Sequence, residues 1–192
     1  MRRILLLTTL AAMLAAAMAL SGVAQAKPTI GSKADAKCLA EAAKTVKEPG
    51  FNPANYTFHG GDTDPSHLSD DFTGQGTLEG NDVFCGFREP NFTETLEAGD
   101  IFISGAQFDG VGINNGTVYG QEGGDIVGTN SGTFYGGAGD DFVIDNFGTY
   151  YGQEGNDGVQ GNHSEGTFDG GDGTDSVVDN QGTISNVEEG DV

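Results

Sequence analysis

Aspartate is the residue in this chain whose placement could do chemistry. Asp125, Asp141, Asp157 and Asp175 each follow a glycine-rich turn and stand two residues before a valine (Val127, Val143, Val159, Val177). The glycines are Gly120 and Gly123, Gly136 and Gly139, Gly152 and Gly155, and Gly170 and Gly173. Glycine leaves room for backbone carbonyls to turn toward an ion. Carboxylate and carbonyl oxygens on such a backbone are hard ligands. They suit Ca²⁺, which takes about six to eight oxygens, better than Mg²⁺ or zinc. The histidines, His59, His67 and His163, do not form a His-Glu-x-x-His pair. No Gly-x-Ser-x-Gly elbow, Walker loop or dinucleotide fingerprint occurs. Paired carboxylates could imitate a glycosidase, but the repeats account for the acids. The predicted chemistry is metal binding, and the chain reads as a non-enzyme.

The aspartates must be positioned by a repeat. Thr77, Thr95, Thr117, Thr133, Thr149, Thr167 and Thr183 are each followed by an apolar residue: Leu78, Leu96, Val118, Phe134, Tyr150, Phe168 and Ile184. The spacing is 16–18 residues except for one interval of 22, which reads as an insertion around Ser104 to Val111. A second apolar column adds Phe84 and Phe102 to the four valines, and Asn114, Asn130, Asn146, Asn162 and Asn180 precede the later threonines. So many glycines exclude a helical repeat. The pattern predicts an all-β fold, a parallel β-roll or β-solenoid of about seven 16–18-residue two-strand coils. A Gly-Asp turn would reverse the chain once per coil, and an Asn-x-Gly turn would close it. Coils stacked about 4.8 Å apart bury two thin apolar columns that no single repeat could bury. Stacked asparagines would hydrogen-bond from coil to coil. Stacked aspartates would repel by roughly 0.8 kcal/mol per pair in water, and by more in a dry turn, so a counter-charge is expected.

The stretch Gly136-Gly137-Ala138-Gly139-Asp140-Asp141-Phe142-Val143-Ile144 returns at Gly170-Gly171-Asp172-Gly173-Thr174-Asp175-Ser176-Val177-Val178. Looser copies start at Gly120 and Gly152. The nine-residue form G-G-x-G-x-D-x-apolar-x resembles the RTX-type (repeats-in-toxin) calcium-binding repeats of secreted bacterial proteins. The resemblance covers Gly120 to Val178 well. It implies Ca²⁺ between the loops of successive coils, ligated by the aspartates and loop carbonyls, with about three sites from four loops. Two departures matter. Only one turn per coil carries the motif, so calcium would line one edge, and Gln121 and Gln153 replace the second glycine.

The remaining chain frames this core. Residues 1–26 read as a signal peptide: Met1-Arg2-Arg3, an apolar run from Ile4 to Leu20, and a small-x-small site at Ala24-Gln25-Ala26. The apolar run is near the lower limit for spanning a bilayer. A secreted protein cleaved near Ala26 is expected. Residues 27–50 predict a capping helix from Ser32 to Glu48, stopped by Pro49-Gly50, that would lid the open end of the stack. Residues 51–75 read as an irregular linker, and residues 76–192 as the roll, best formed over 117–178. Outside the leader all 29 acidic residues face only six of the eight Lys and Arg, Arg2 and Arg3 being in the leader, which leaves a charge of −23. Nucleic acid and anionic lipid are thereby excluded as partners. In an exported chain Cys38 and Cys85 are expected to form a disulfide, the alternative being two unpaired small hydrophobes. Expected partners are calcium and an extracellular polysaccharide or cell surface. A Thr/Tyr face (Thr117, Thr133, Thr149; Tyr119, Tyr135, Tyr151) is a second candidate surface, for sugar or ice. The rods would be monomeric or associate end to end.

Overall fold

The computed structural model describes residues 32–61, 81–86, 92–106 and 108–190. The leader, His67, the Thr77-Leu78 repeat and Arg88 lie outside them. One helix, α1 (Lys33–Thr45), and a short 3-10 turn (Pro53–Asn55) precede the strands. The strands are β1 (Thr57–Gly60), β2 (Asp82–Cys85), β3 (Phe92–Leu96), β4 (Ile101–Ile103), β5 (Gly110–Asn114), β6 (Thr117–Glu122), β7 (Ile126–Asn130) and β8 (Thr133–Ala138). They continue with β9 (Phe142–Asn146), β10 (Thr149–Glu154), β11 (Gly158–Asn162), β12 (Thr167–Asp172), β13 (Ser176–Asn180), β14 (Thr183–Ser185) and β15 (Glu189–Gly190).

The chain alternates between two parallel sheets. The first runs β1-β2-β4-β6-β8-β10-β12-β14, the second β3-β5-β7-β9-β11-β13-β15. This is a β-solenoid of about six turns. Inside it, Phe84, Phe102, Val118, Phe134, Tyr150 and Phe168 from the first sheet meet Val111, Val127, Val143, Val159 and Val177 from the second. Parallel register stacks the central rings, with centroids 4.9 Å apart for Phe134–Tyr150 and 4.8 Å for Tyr150–Phe168. At one turn Asn114, Asn130, Asn146 and Asn162 each donate Nδ2–H to Oδ1 of the next asparagine, at 2.8–2.9 Å, which is the coil-to-coil ladder the sequence predicts.

The early coils differ from the expectation. Thr95-Leu96 belongs to β3 of the second sheet, where Leu96 lies beside Asn114. Phe84 and Phe102 lie in the first-sheet column with Val118, not in the valine column. The 22-residue interval is therefore no insertion within a coil. It contains β5, a full rung paired with β7. A Thr-apolar dipeptide suits either sheet, so it cannot assign a strand where the glycine turns are missing. The region read as a linker also holds a rung: β1 pairs in register with β2, and its inward His59 stacks on Phe84 at 4.9 Å and bonds Asp82 at 2.8 Å.

Helix α1 starts as expected, with Ser32 Oγ accepting from the Asp35 N–H at 3.1 Å. It ends at Thr45 rather than Glu48, and Val46 is already extended. Pro49 cannot donate an N–H and disfavours a helical Glu48 before it. The helix covers the flank of the stack rather than its end. Near its start, Asp35 Oδ1 accepts the Gly60 N–H at 3.0 Å; at its far end, Gln121 Nε2 donates to Thr45 Oγ1 at 3.0 Å. It thus crosses β1, β2, β4 and β6, a span of about 14 Å. The reason lies in the outward columns. Phe58, Val83, Cys85, Ile101 and Ile103 form an apolar strip that closes on Cys38, Leu39, Ala42 and Val46 of the helix segment. A Cβ on Gly60 would strike the Ala34 backbone, so only glycine admits this approach.

Cys38 and Cys85 form the expected disulfide, 47 residues apart. Closing a loop of that length is worth about 4 kcal/mol in the chain-entropy model. Replacing both cysteines by serine should therefore lower the urea midpoint substantially and release α1 first. An unchanged midpoint with unchanged helix signal would show that packing alone holds the flank.

Candidate metal centre

The Asp-x-apolar signature places an aspartate just before β5, β7, β9, β11 and β13 of the second sheet. Asp109, Asp125, Asp141, Asp157 and Asp175 form one file, all buried. Each backbone N–H donates to Oδ1 of the next carboxyl: Asp109 to Asp125 and Asp125 to Asp141 at 2.7 Å, Asp141 to Asp157 at 2.8 Å, Asp157 to Asp175 at 2.7 Å. The Asp175 N–H closes the file on Glu188 Oε2 at 3.0 Å. The repeat predicts Asp125, Asp141, Asp157 and Asp175, and the structure brings all four together; both ends of the file, Asp109 and Glu188, lie outside the predicted set. Asp109-Gly110-Val111 repeats Asp157-Gly158-Val159, a signal that the missing glycine turn concealed.

The second oxygen of each carboxyl is the unusual feature. Oδ2 of Asp125, Asp141, Asp157 and Asp175 is buried and has no hydrogen-bond partner. At Asp109, by contrast, Oδ2 accepts the Gly105 N–H at 3.1 Å. Each orphan oxygen lies under the glycine five residues earlier. A Cβ on Gly120, Gly136, Gly152 or Gly170 would collide with that Oδ2 and also with a carbonyl of the next coil, from Gly136, Gly152, Gly170 and Asn186 respectively. Gly123, Gly139, Gly155 and Gly173 have a different task, making the turn itself at φ between 110° and 152°.

Burial above all pushes the ladder carboxyls up: Asp125 to about 9, with the Asp141 and Asp109 charges adding, Asp141 to about 7 and Asp157 to about 6. Asp175 is also raised by burial. Near neutral pH, without a cation, part of the ladder is held as the acid. Tyr150 adds to the imbalance. Its buried hydroxyl lies near Asp157 and is pushed well up, first by burial and then by the Asp157 and Asp141 charges.

These residues offer a cation two hard oxygens at each step, an unpartnered carboxyl oxygen and a carbonyl of the neighbouring coil. Among the described residues no three His, Cys, Asp or Glu side chains converge on a metal-sized site, so further ligands would come from backbone carbonyls. Gln121 and Gln153 keep the left-handed backbone of the glycines they replace, at φ 72° and 85°. The Gln121 side chain turns outward to the helix, leaving the carboxyl file untouched. Asp82 and Asp100 are separate from this file. They stand at the start of first-sheet strands, Asp82 donating its N–H to Asp100 Oδ1 at 3.0 Å. His163 is a surface residue stacked on Phe147 and bonded to Asp145 at 3.0 Å. Neither a protein-family model, nor a curated protein, nor a solved structure matches the chain.

A carboxyl whose pKa rises on folding stabilises the fold fully below its unfolded value, near 4, and that contribution is lost as pH climbs through the folded value. In chelator, the melting temperature should therefore fall as pH rises from about 4 through the 6–9 range of Asp157, Asp141 and Asp125. Asp141→Asn keeps an acceptor in the Oδ1 position and cannot ionise. It should melt higher than the parent at pH 8 and no higher at pH 4; an equal gain at both values would rule out ionisation as the cause.

Proposed function

We propose that this chain is a secreted calcium-binding solenoid with a structural or surface-associated role, its folding coupled to Ca²⁺. One observation carries the reading: the file of buried Oδ2 atoms on Asp125, Asp141, Asp157 and Asp175, none with a partner. A buried polar oxygen left unpaired costs about 1–3 kcal/mol, and more if charged. A ladder of four is therefore an arrangement that calls for a positive species. The carboxyls, with the neighbouring carbonyls of Gly136, Gly152, Gly170 and Asn186, are the groups that would hold Ca²⁺. The ion would supply the counter-charge that lets the carboxyls ionise inside the turn.

The motif glycines support the same reading, since those against Oδ2 are demanded by space rather than by turn geometry. Export is supported by the leader sequence and by the buried Cys38–Cys85 bond, which an oxidising compartment maintains. The acidic composition speaks against nucleic acid or anionic lipid as partners. In this reading the chain is not an enzyme, and the ladder acids serve metal and fold.

The test is circular dichroism at pH 7.5 during a calcium titration of the mature protein from a chelated start. A cooperative gain of β signal, or a large rise in melting temperature where the metal-free chain is already folded, is expected. Asp141→Ala should weaken that response, since it removes one rung from the middle of the file. A protein whose fold and melting temperature are indifferent to calcium would refute the proposal.

A further inference from the structure

Beyond the end of α1, the outer face of the first sheet holds a groove between Lys47 and Glu48 on one side and Tyr135, Gln121 and Gln153 on the other. Of its residues, Tyr119, Gln121 and Gln153 come from a segment that occurs twice, Thr-x-Tyr-Gly-Gln-Glu-Gly-x-Asp at 117–125 and again at 149–157. The copies lie two coils apart, about 10 Å. In the first copy the polar tips are occupied by the helix segment. Gln121 Nε2 donates to Thr45 Oγ1 at 3.0 Å and Glu41 Oε1 at 3.5 Å, and the Tyr119 hydroxyl donates to Glu48 Oε1 at 3.4 Å. These bonds account for a glutamine at φ 72°, where the alternate coils use Gly137 and Gly171.

The second copy keeps the strain without the bonds. Gln153 sits at φ 85°. Among the described residues, neither its amide nor the Tyr135 and Tyr151 hydroxyls have a protein hydrogen-bond partner. Strain that a glycine would relieve, kept with no partner inside the molecule, points to a partner outside it. The rings define what that partner meets. Tyr119, Tyr135 and Tyr151 stack with centroids 4.9 and 5.1 Å apart and nearly parallel planes. Rings this close cannot lie side by side, so their faces largely cover one another. Tyr119, at 9% exposure, is hidden against the helix segment. The flat Thr/Tyr platform expected from the sequence is therefore not on offer. What remains is a groove lined by Tyr135 and the Gln153 amide, and beside it Tyr151, stacked on Tyr135 and 38% exposed.

We infer that this groove, with Tyr151 at its side, binds a neutral, hydroxyl-rich polysaccharide, the Gln153 amide and the Tyr135 and Tyr151 hydroxyls bonding sugar hydroxyls while the open Tyr151 face packs on a sugar ring. The Thr45 hydroxyl on Gln121 shows, within the same molecule, the kind of group this glutamine position takes. Charge narrows the class. The chain carries −21 overall and only Lys47 among the groove residues is cationic, so a polyanion is repelled while Glu48 can accept from neutral hydroxyls. Aromatic faces with a few convergent polar groups are the usual make-up of such sites.

Affinity electrophoresis in calcium buffer, through gels holding hydroxyethyl cellulose, laminarin or alginate, tests this. Retardation by at least one of the two neutral glucans and not by alginate is expected. Gln153→Gly should weaken it about tenfold, the worth of a lost hydrogen bond or two. The same change should leave the melting temperature equal or higher, because glycine suits that backbone. Tyr151→Ser, which copies Ser185 in the same column, should also weaken retardation. The inference fails if neither neutral glucan retards the protein, if both variants bind like the parent, or if Gln153→Gly melts lower, which would make Gln153 structural.

Discussion

Parallel coiling places each side chain about 4.8 Å from its own counterpart, and the structure depends on which residues tolerate their own company. Phenylalanine and tyrosine do, by stacking. Asparagine does, because one amide both donates and accepts, so a file of any length is satisfied from within. Aspartate does not, since a carboxylate only accepts. The backbone relieves half of the difficulty by giving one N–H to each Oδ1. The other half remains as a line of unpartnered oxygens. The two turns of each coil thus differ in kind, one complete in itself and the other needing a proton or a cation.

Much of this was legible from period and residue type. The valine column, the aromatic column, the asparagine file and four of the ladder aspartates all follow from a 16–18-residue repeat with inward apolar positions. Legibility failed where the glycine turns stop. Without them Thr95-Leu96 could belong to either sheet, β5 passed for an insertion and β1 for a linker. Asp109 shows the cause plainly. Its rung carries the same Asp-Gly-Val as Asp157, but the residues before it make a different turn.

The placement of the helix was hidden for another reason. Its apolar face and disulfide were readable, but the surface that receives it is set by register. Phe58, Val83 and Ile101 share an outward column with Thr117, so one file changes from apolar to polar between β4 and β6. That change marks where cover ends and open surface begins. It exists only once the strands are aligned, and no short stretch of sequence displays it. Glutamine at positions 121 and 153 looked like a weakened metal loop from sequence alone. In three dimensions its side chain belongs to the outer face, while its backbone still serves the turn.

Both ladders run in one sense, every donor facing the coil that follows, and each has a terminus of its own. Leu96 occupies the asparagine file at its start, where no amide could continue it. Glu188 ends the aspartate file by accepting the final N–H. Between these stops the coils are nearly interchangeable, and the extra Ser164-Glu165 pair is taken up in a turn without disturbing the register of β10 with β12. Length is therefore the free variable of this molecule. Whole coils could be duplicated or lost inside the chain while both stops stay intact, whereas splicing one copy onto another would set Asn180 against Leu96. Its lineage would be expected to vary by rungs, like a ladder cut to different heights from the same stock.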